Sequence, residues 1–145
     1  SPPAIAPQPT LRDLDSLVAG VESSGVKVSV EVTGPIEELP VSVNLAAYRI
    51  VQEGLTNVVK HAPGSSVDVS IARAERELAI LITNTPITTP TNTPAVRDIA
   101  PLASDVGVGL IGLHERVGLL GGTFTAGPHP LGGFQLEAHI PTESR

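Results

Sequence analysis

One stretch constrains this chain more than any other: residues 49–62, RIVQEGLTNVVKHA. It has the period of a helix and places two opposed demands on one rod. At about 100° per residue, Glu53, Asn57 and Lys60 fall within roughly 60° of one another. Ala47, Val51, Leu55, Val58 and Val59 take the opposite arc. Such a helix must lie with its back in a core, leaving a carboxylate, a carboxamide and an ammonium in line along its front. Spacing alone leaves two readings open. The line is a solvated polar face with a Glu–Lys pair, or it holds a Mg²⁺-bound polyphosphate, with hard oxygens for the metal and a cation for the phosphate.

Composition narrows the surroundings of that helix. At 145 residues the chain is one domain with a single sizeable core. The 41% hydrophobic fraction is mostly aliphatic, with Tyr48, Phe124 and Phe134 as the aromatics. That supports an aliphatic core, argues against disorder, and leaves too few rings to stack single-stranded nucleic acid. Nine basic against fifteen acidic residues give a net charge of −6, so no basic footprint exists for nucleic acid or anionic lipid. With no cysteine, disulfides, thiolate metal sites and cysteine nucleophiles are excluded. No apolar run approaches the ~18–20 residues of a membrane span, and no signal peptide is visible.

Residues 1–9, SPPAIAPQP, form a Pro-rich linker or arm that suits neither helix nor ladder. The start without Met is expected of a piece excised from a longer protein. A helix is expected over 10–22, with Asp13 as a capping-box partner of Thr10, and a half-buried strand over 26–33. The main helix is expected from near Ser42 to His61, stopped by Pro63-Gly64. Strands over 67–72 and 78–83 make a hairpin. Residues 84–106 hold four prolines and five threonines, which reads as a long loop. A short helix over 110–120 and a second hairpin, 123–126 with 134–140, close the chain. This order does not alternate as a doubly wound sheet would. It suits an α/β (α+β) two-layer sandwich, a mixed and mostly antiparallel sheet with three helices on one face.

Gly107, Gly109 and Gly112 spell G-x-G-x-x-G, but no strand precedes them and no acidic strand end follows, so a dinucleotide fingerprint is rejected. Glycines ahead of a helix still let backbone N–H groups approach a phosphate at the positive helix end. Gly107, Gly109 and the N–H groups of Leu110 to Gly112 are the candidate cradle.

RIVQEGLTNVVKHA resembles the N-box of the GHKL (Bergerat-fold) ATPases. GVGLIGLHERVGLLGG, residues 107–122, is similar to their glycine-rich G2 region and its helix. The closest resemblance is to sensor histidine kinases that partner LuxR-type response regulators, and it covers residues 11–141. The resemblance implies the Bergerat ATP-binding fold, with residues 10–145 as the catalytic domain and 85–106 as an ATP lid, mobile until nucleotide binds. It implies ATP and Mg²⁺ as ligands. Asn57 would coordinate Mg²⁺ beside the phosphates, and Glu53 would act through a metal-bound water as the nearest group to a general base. Lys60 would neutralise phosphate charge. His61 would contact a phosphate or the ribose side, and Arg116 would reach the phosphates or a neighbouring helical domain.

The family's adenine-binding Asp-x-Gly-x-Gly is replaced here by 84-NTP-86, so Asn84 stands where the Asp would be and both glycines are missing. An Asn carbonyl can still accept from the adenine amine, as a neutral partner. Gly133-Phe134 replaces the Gly-Thr of many members, and Phe134 is expected in the core. His114, His129 and His139 follow no ligand spacing.

The implied reaction passes the γ-phosphoryl group of Mg·ATP to a histidine on an upstream dimerisation domain, then to a response-regulator aspartate. That acceptor helix is not in this chain, so the fragment is expected to bind ATP yet transfer little alone. The parent would be a homodimer, with this domain cytoplasmic and touching neither nucleic acid nor membrane; whether the parent is an inner-membrane sensor is left open by the sequence. Two alternatives stand beside this reading: a non-catalytic regulatory module that has lost nucleotide, and an anti-sigma-factor-like serine kinase.

Overall fold

The computed structural model describes residues 9–85, 99–129 and 132–142, with the backbone alone over 99–108. Thr10 caps a short 3-10 turn, Leu11–Asp13, and the capping box forms: the Thr10 hydroxyl accepts from the Arg12 N–H while the Asp13 carboxylate accepts from the Thr10 N–H. Helix α1 continues over Leu14–Glu22. Strand β1 is Lys27–Thr33 and helix α2 is Val41–His61, entered directly after Pro40. Strands β2, Ser66–Arg73, and β3, Glu77–Thr85, follow as a hairpin. Helix α3 spans Ile99–Leu119, and β4, Thr123–Pro128, pairs with β5, Phe134–Pro141.

The sheet has the order β1-β2-β3-β5-β4. Only the β1–β2 pair is parallel, because α2 carries the chain back over the sheet between them. Every second residue of β2, β3 and β5 is buried: Val67, Val69 and Ile71, then Leu78, Ile80 and Ile82, then Leu136, Ala138 and Ile140. They meet Ile50, Val51, Leu55 and Val58 of α2 in one core, with Leu14 and Val21 of α1 and Leu113 and Val117 of α3. The opposite sheet face carries polar groups, so all three helices lie on one side. The architecture is the two-layer sandwich expected from the sequence, and Phe134 packs half-buried against the core.

Two expectations change. Residues 99–106, read as loop, are helical, and α3 is twice the helix expected over 110–120. Its sequence explains why: Ile99, Leu102, Val106, Leu110, Leu113 and Val117 recur at helical spacing, and Pro101 falls in the first turn where a missing N–H is tolerated. Residues 86–98, the rest of the expected lid, and 1–8 of the arm lie outside the described residues.

Mid-helix Gly54 sets how closely α2 lies on the sheet. A Cβ there would come 2.8 Å from Ile82 Cδ1. The missing side chain lets the backbone of α2 settle onto the end of β3, two residues before Asn84.

Candidate functional site

The front of α2 is not uniformly solvated. Glu53 is half-buried, Lys60 is exposed, and Asn57 is only 3% exposed. Asn57 Nδ2 is buried without a hydrogen-bond partner among the described residues, and so is Nε2 of His61, one turn further on. Buried amides and imidazoles are normally paired, and an orphan of this kind is destabilising by roughly 1–3 kcal/mol. A phosphate oxygen is an acceptor that the Asn57 nitrogen could meet, and His61 could meet one as well when its Nε2 carries the proton. Together with the hard-oxygen donors of Glu53 and Asn57, the residues present suit a triphosphate with its divalent ion.

Helix α3 lies across this face. Gly109 sits so close to Glu53 that a Cβ would overlap its carboxylate. The two motifs, far apart in sequence, therefore meet in space. The cradle itself is not as expected. Gly107, Gly109, Leu110 and Gly112 lie inside α3 instead of ahead of it, so their N–H groups belong to the helical ladder. The reason is the same apolar spacing that lengthened the helix. Arg116, further along α3, is exposed and no described contact brings it to Glu53.

Asn84 lies near the end of β3, against the turn that follows α2. It is 2% exposed, and its Nδ2 donates to Ser65 Oγ at 2.8 Å and to the Ser66 carbonyl at 3.0 Å. A carbonyl partner identifies the donating atom as the amide nitrogen, which leaves Oδ1 as the acceptor. Sequence reasoning missed Ser65. It follows the helix stop Pro63-Gly64, where a hydroxyl reads as ordinary turn chemistry. It also missed Gly54, whose only signal was a glycine in the middle of a strong helix.

The remaining histidines stay outside the site. His114 meets Phe124 edge to face at 6.3 Å. His139 lies on the outer sheet face, between the carboxylates of Glu137 at 2.7 Å and Glu77 at 2.8 Å. Those two hydrogen bonds, Glu137 foremost, raise its pKa above 6.5. Among the described residues no group of three or more His, Asp or Glu side chains could by itself hold a metal ion.

A mixed sheet covered on one face by helices, with Glu53 of the central helix packed against Gly109 of a glycine-bearing second helix, is the layout of a Bergerat-type ATP-binding domain. Residues 42–144 match the family described as histidine kinase-, DNA gyrase B- and HSP90-like ATPase, and the chain belongs to that family. It is 32% identical over 133 residues to the sensor histidine kinase YxjM of Bacillus subtilis, covering 90% of this chain and 30% of that protein. It is 34% identical over 84 residues to the histidine-protein kinase/phosphatase UhpB of Salmonella typhimurium, covering 58% of this chain and 15% of the relative. The chain thus spans under a third of these relatives. Among solved structures, the blue-light activated histidine kinase EL346 of Erythrobacter litoralis superposes with a TM-score of 0.64 at 17% identity, covering 92% of this chain and 45% of that one. The catalytic domain of histidine kinase ThkA gives 0.60 at 12% identity, covering 91% and 95%. These two likenesses support the fold.

Proposed function

We propose that this chain is the ATP-binding catalytic domain of a sensor histidine kinase, holding Mg·ATP between the front of α2 and the glycine segment of α3. The observation that carries this reading is the direct packing of Gly109 on Glu53, which brings the N-box and the G2 segment together. Asn57 offers its amide oxygen to the metal and its unpartnered nitrogen to a phosphate oxygen. His61 adds a second donor below it, and Lys60 places positive charge at the rim. Asn84 Oδ1 accepts from the adenine amine. When bound, Mg²⁺ screens charge on the phosphates. Phosphoryl transfer asks mainly for positioning and charge stabilisation, and Glu53 is placed to orient water and hold a proton.

For the glycine segment to give its N–H groups to phosphate, α3 must open there. Three glycines within residues 107–112 make that turn of the helix weak, at about 1 kcal/mol each relative to Ala. Arg116 serves the phosphates or a partner domain. In the whole protein the γ-phosphoryl group passes to a histidine of an upstream dimerisation domain of a homodimer, and on to a response regulator. The described residues contain no helix long and apolar enough to cross a membrane. As the catalytic domain of a histidine kinase, the domain is placed in the cytoplasm, and an inner-membrane sensor is one form open to its parent.

Titration calorimetry of the chain with ATP tests the reading. Binding should be measurable and strengthened by Mg²⁺. A folded protein that takes up no heat with ATP, with or without Mg²⁺, contradicts it.

A further inference from the structure

We infer that Ser65 is a positioning residue that sets base selectivity, by locking the Asn84 amide so that only its oxygen faces a purine. The inference rests on the nucleotide-site reading above. Aspartate in this place is an acceptor whichever way it turns. Asparagine is not: turned one way it accepts from the 6-amino group of adenine, and turned the other it donates to a 6-oxo group. A chain with Asn84 therefore needs something to hold the orientation.

Ser65 and Ser66 supply it. The Ser65 hydroxyl donates its one hydrogen to the Ala62 carbonyl at 2.6 Å, so towards Asn84 it can only accept. Asn84 Nδ2 fills that role at 2.8 Å and reaches the Ser66 carbonyl at 3.0 Å with its other hydrogen. An inverted amide would set Oδ1 against the Ser66 carbonyl oxygen, a repulsive contact. It could take the Ser65 hydrogen only by stripping it from the Ala62 carbonyl, an acceptor that would then be left unpaired in a site where Asn84 is 2% and Ser65 3% exposed. Ala62 is the C-cap of α2, so the same relay ties the base end of the site to the helix that bears Glu53 and Asn57.

Inosine triphosphate is the probe: it replaces the 6-amino group with an oxo group and turns the adjacent N1 from acceptor to donor, and the second change is the same for the unaltered chain and the Ser65 variants. The unaltered chain should prefer ATP over inosine triphosphate by about tenfold or more. Ser65→Ala should still bind ATP but narrow that ratio about fivefold, through better binding of the oxo nucleotide, and Ser65→Thr should restore it. An unchanged ratio in a folded Ser65→Ala that binds ATP overturns the inference. Failure of the unaltered chain to bind ATP is a separate result, and it overturns the underlying site reading as well. If Ser65→Ala does not fold, the Asn84 side-chain amide protons of the unaltered chain decide by NMR. Both should be protected from solvent exchange before any ATP is added, and protection that appears only with ATP shows the nitrogen facing the base and refutes the lock.

Discussion

At the scale of single residues, the site is set apart by groups left without partners. Asn57 is nearly as buried as the valines beside it, yet its amide nitrogen is bonded to nothing described. In the free domain such an orphan is destabilising, and its replacement by Ala sets that gain against a small cavity, while ligand binding loses a donor and an acceptor. Asn57→Ala should therefore leave thermal unfolding almost unmoved, within about 1 kcal/mol, while lowering ATP affinity at least about tenfold in calorimetry. A large loss of stability with unchanged affinity would reverse that assignment. The helical arc of Glu53, Asn57 and Lys60 was readable from spacing. The burial of Asn57 was not, because it depends on how α3 and the end of β3 close over α2, which no local pattern encodes.

At the scale of elements, two glycines have opposite uses. Gly54 lets α2 lie close on β3, and Gly54→Val should destabilise the domain by about 2–3 kcal/mol in urea titration, since its methyls enter space held by fully buried Ile82. Gly112 meets nothing within 4 Å, so Gly112→Ala is sterically free. It should stabilise α3 and, if opening of that helix accompanies nucleotide binding, weaken ATP about two- to fivefold. Equal affinity in a stabilised Gly112→Ala protein would show that α3 stays helical around its ligand. The chain's strands and its central helix follow from alternation, capping and Pro-Gly stops. The first half of α3 was hidden because Pro101 and the threonine-rich run before it outweighed a sparse apolar spacing in the reading.

At the scale of the whole molecule, stability depends on pH through the outer sheet face. His139 sits on β5 beside Glu137 of the same strand and Glu77 of β3, and its pKa is raised by both. A folded-state pKa above the unfolded value gives stability that is present below pH 6.5 and lost as pH rises through the raised value. The His139 side chain is 37% exposed, so solvent screens the effect. The melting temperature should fall by about 1–3 °C between pH 6 and pH 8.5 beyond what His139→Gln shows. Identical pH profiles for the two proteins would remove His139 from the account. The one-sided sandwich was legible from β2 and β5, which alternate apolar and polar residues, whereas the apolar run 78–82 of β3 hides which face is buried, and the pairing of Glu77 with His139 needed the strand register.

Strand β1 joins the sheet only along β2, and with α1 it lies ahead of the span shared with the ATPase family. β1 is therefore an edge strand, held in the sheet by a single ladder. Its amide protons should trade with deuterium solvent first, at a lower opening energy than those of β3, which makes β1 a place where strain from a neighbouring domain could loosen the molecule without disturbing its ligand cleft.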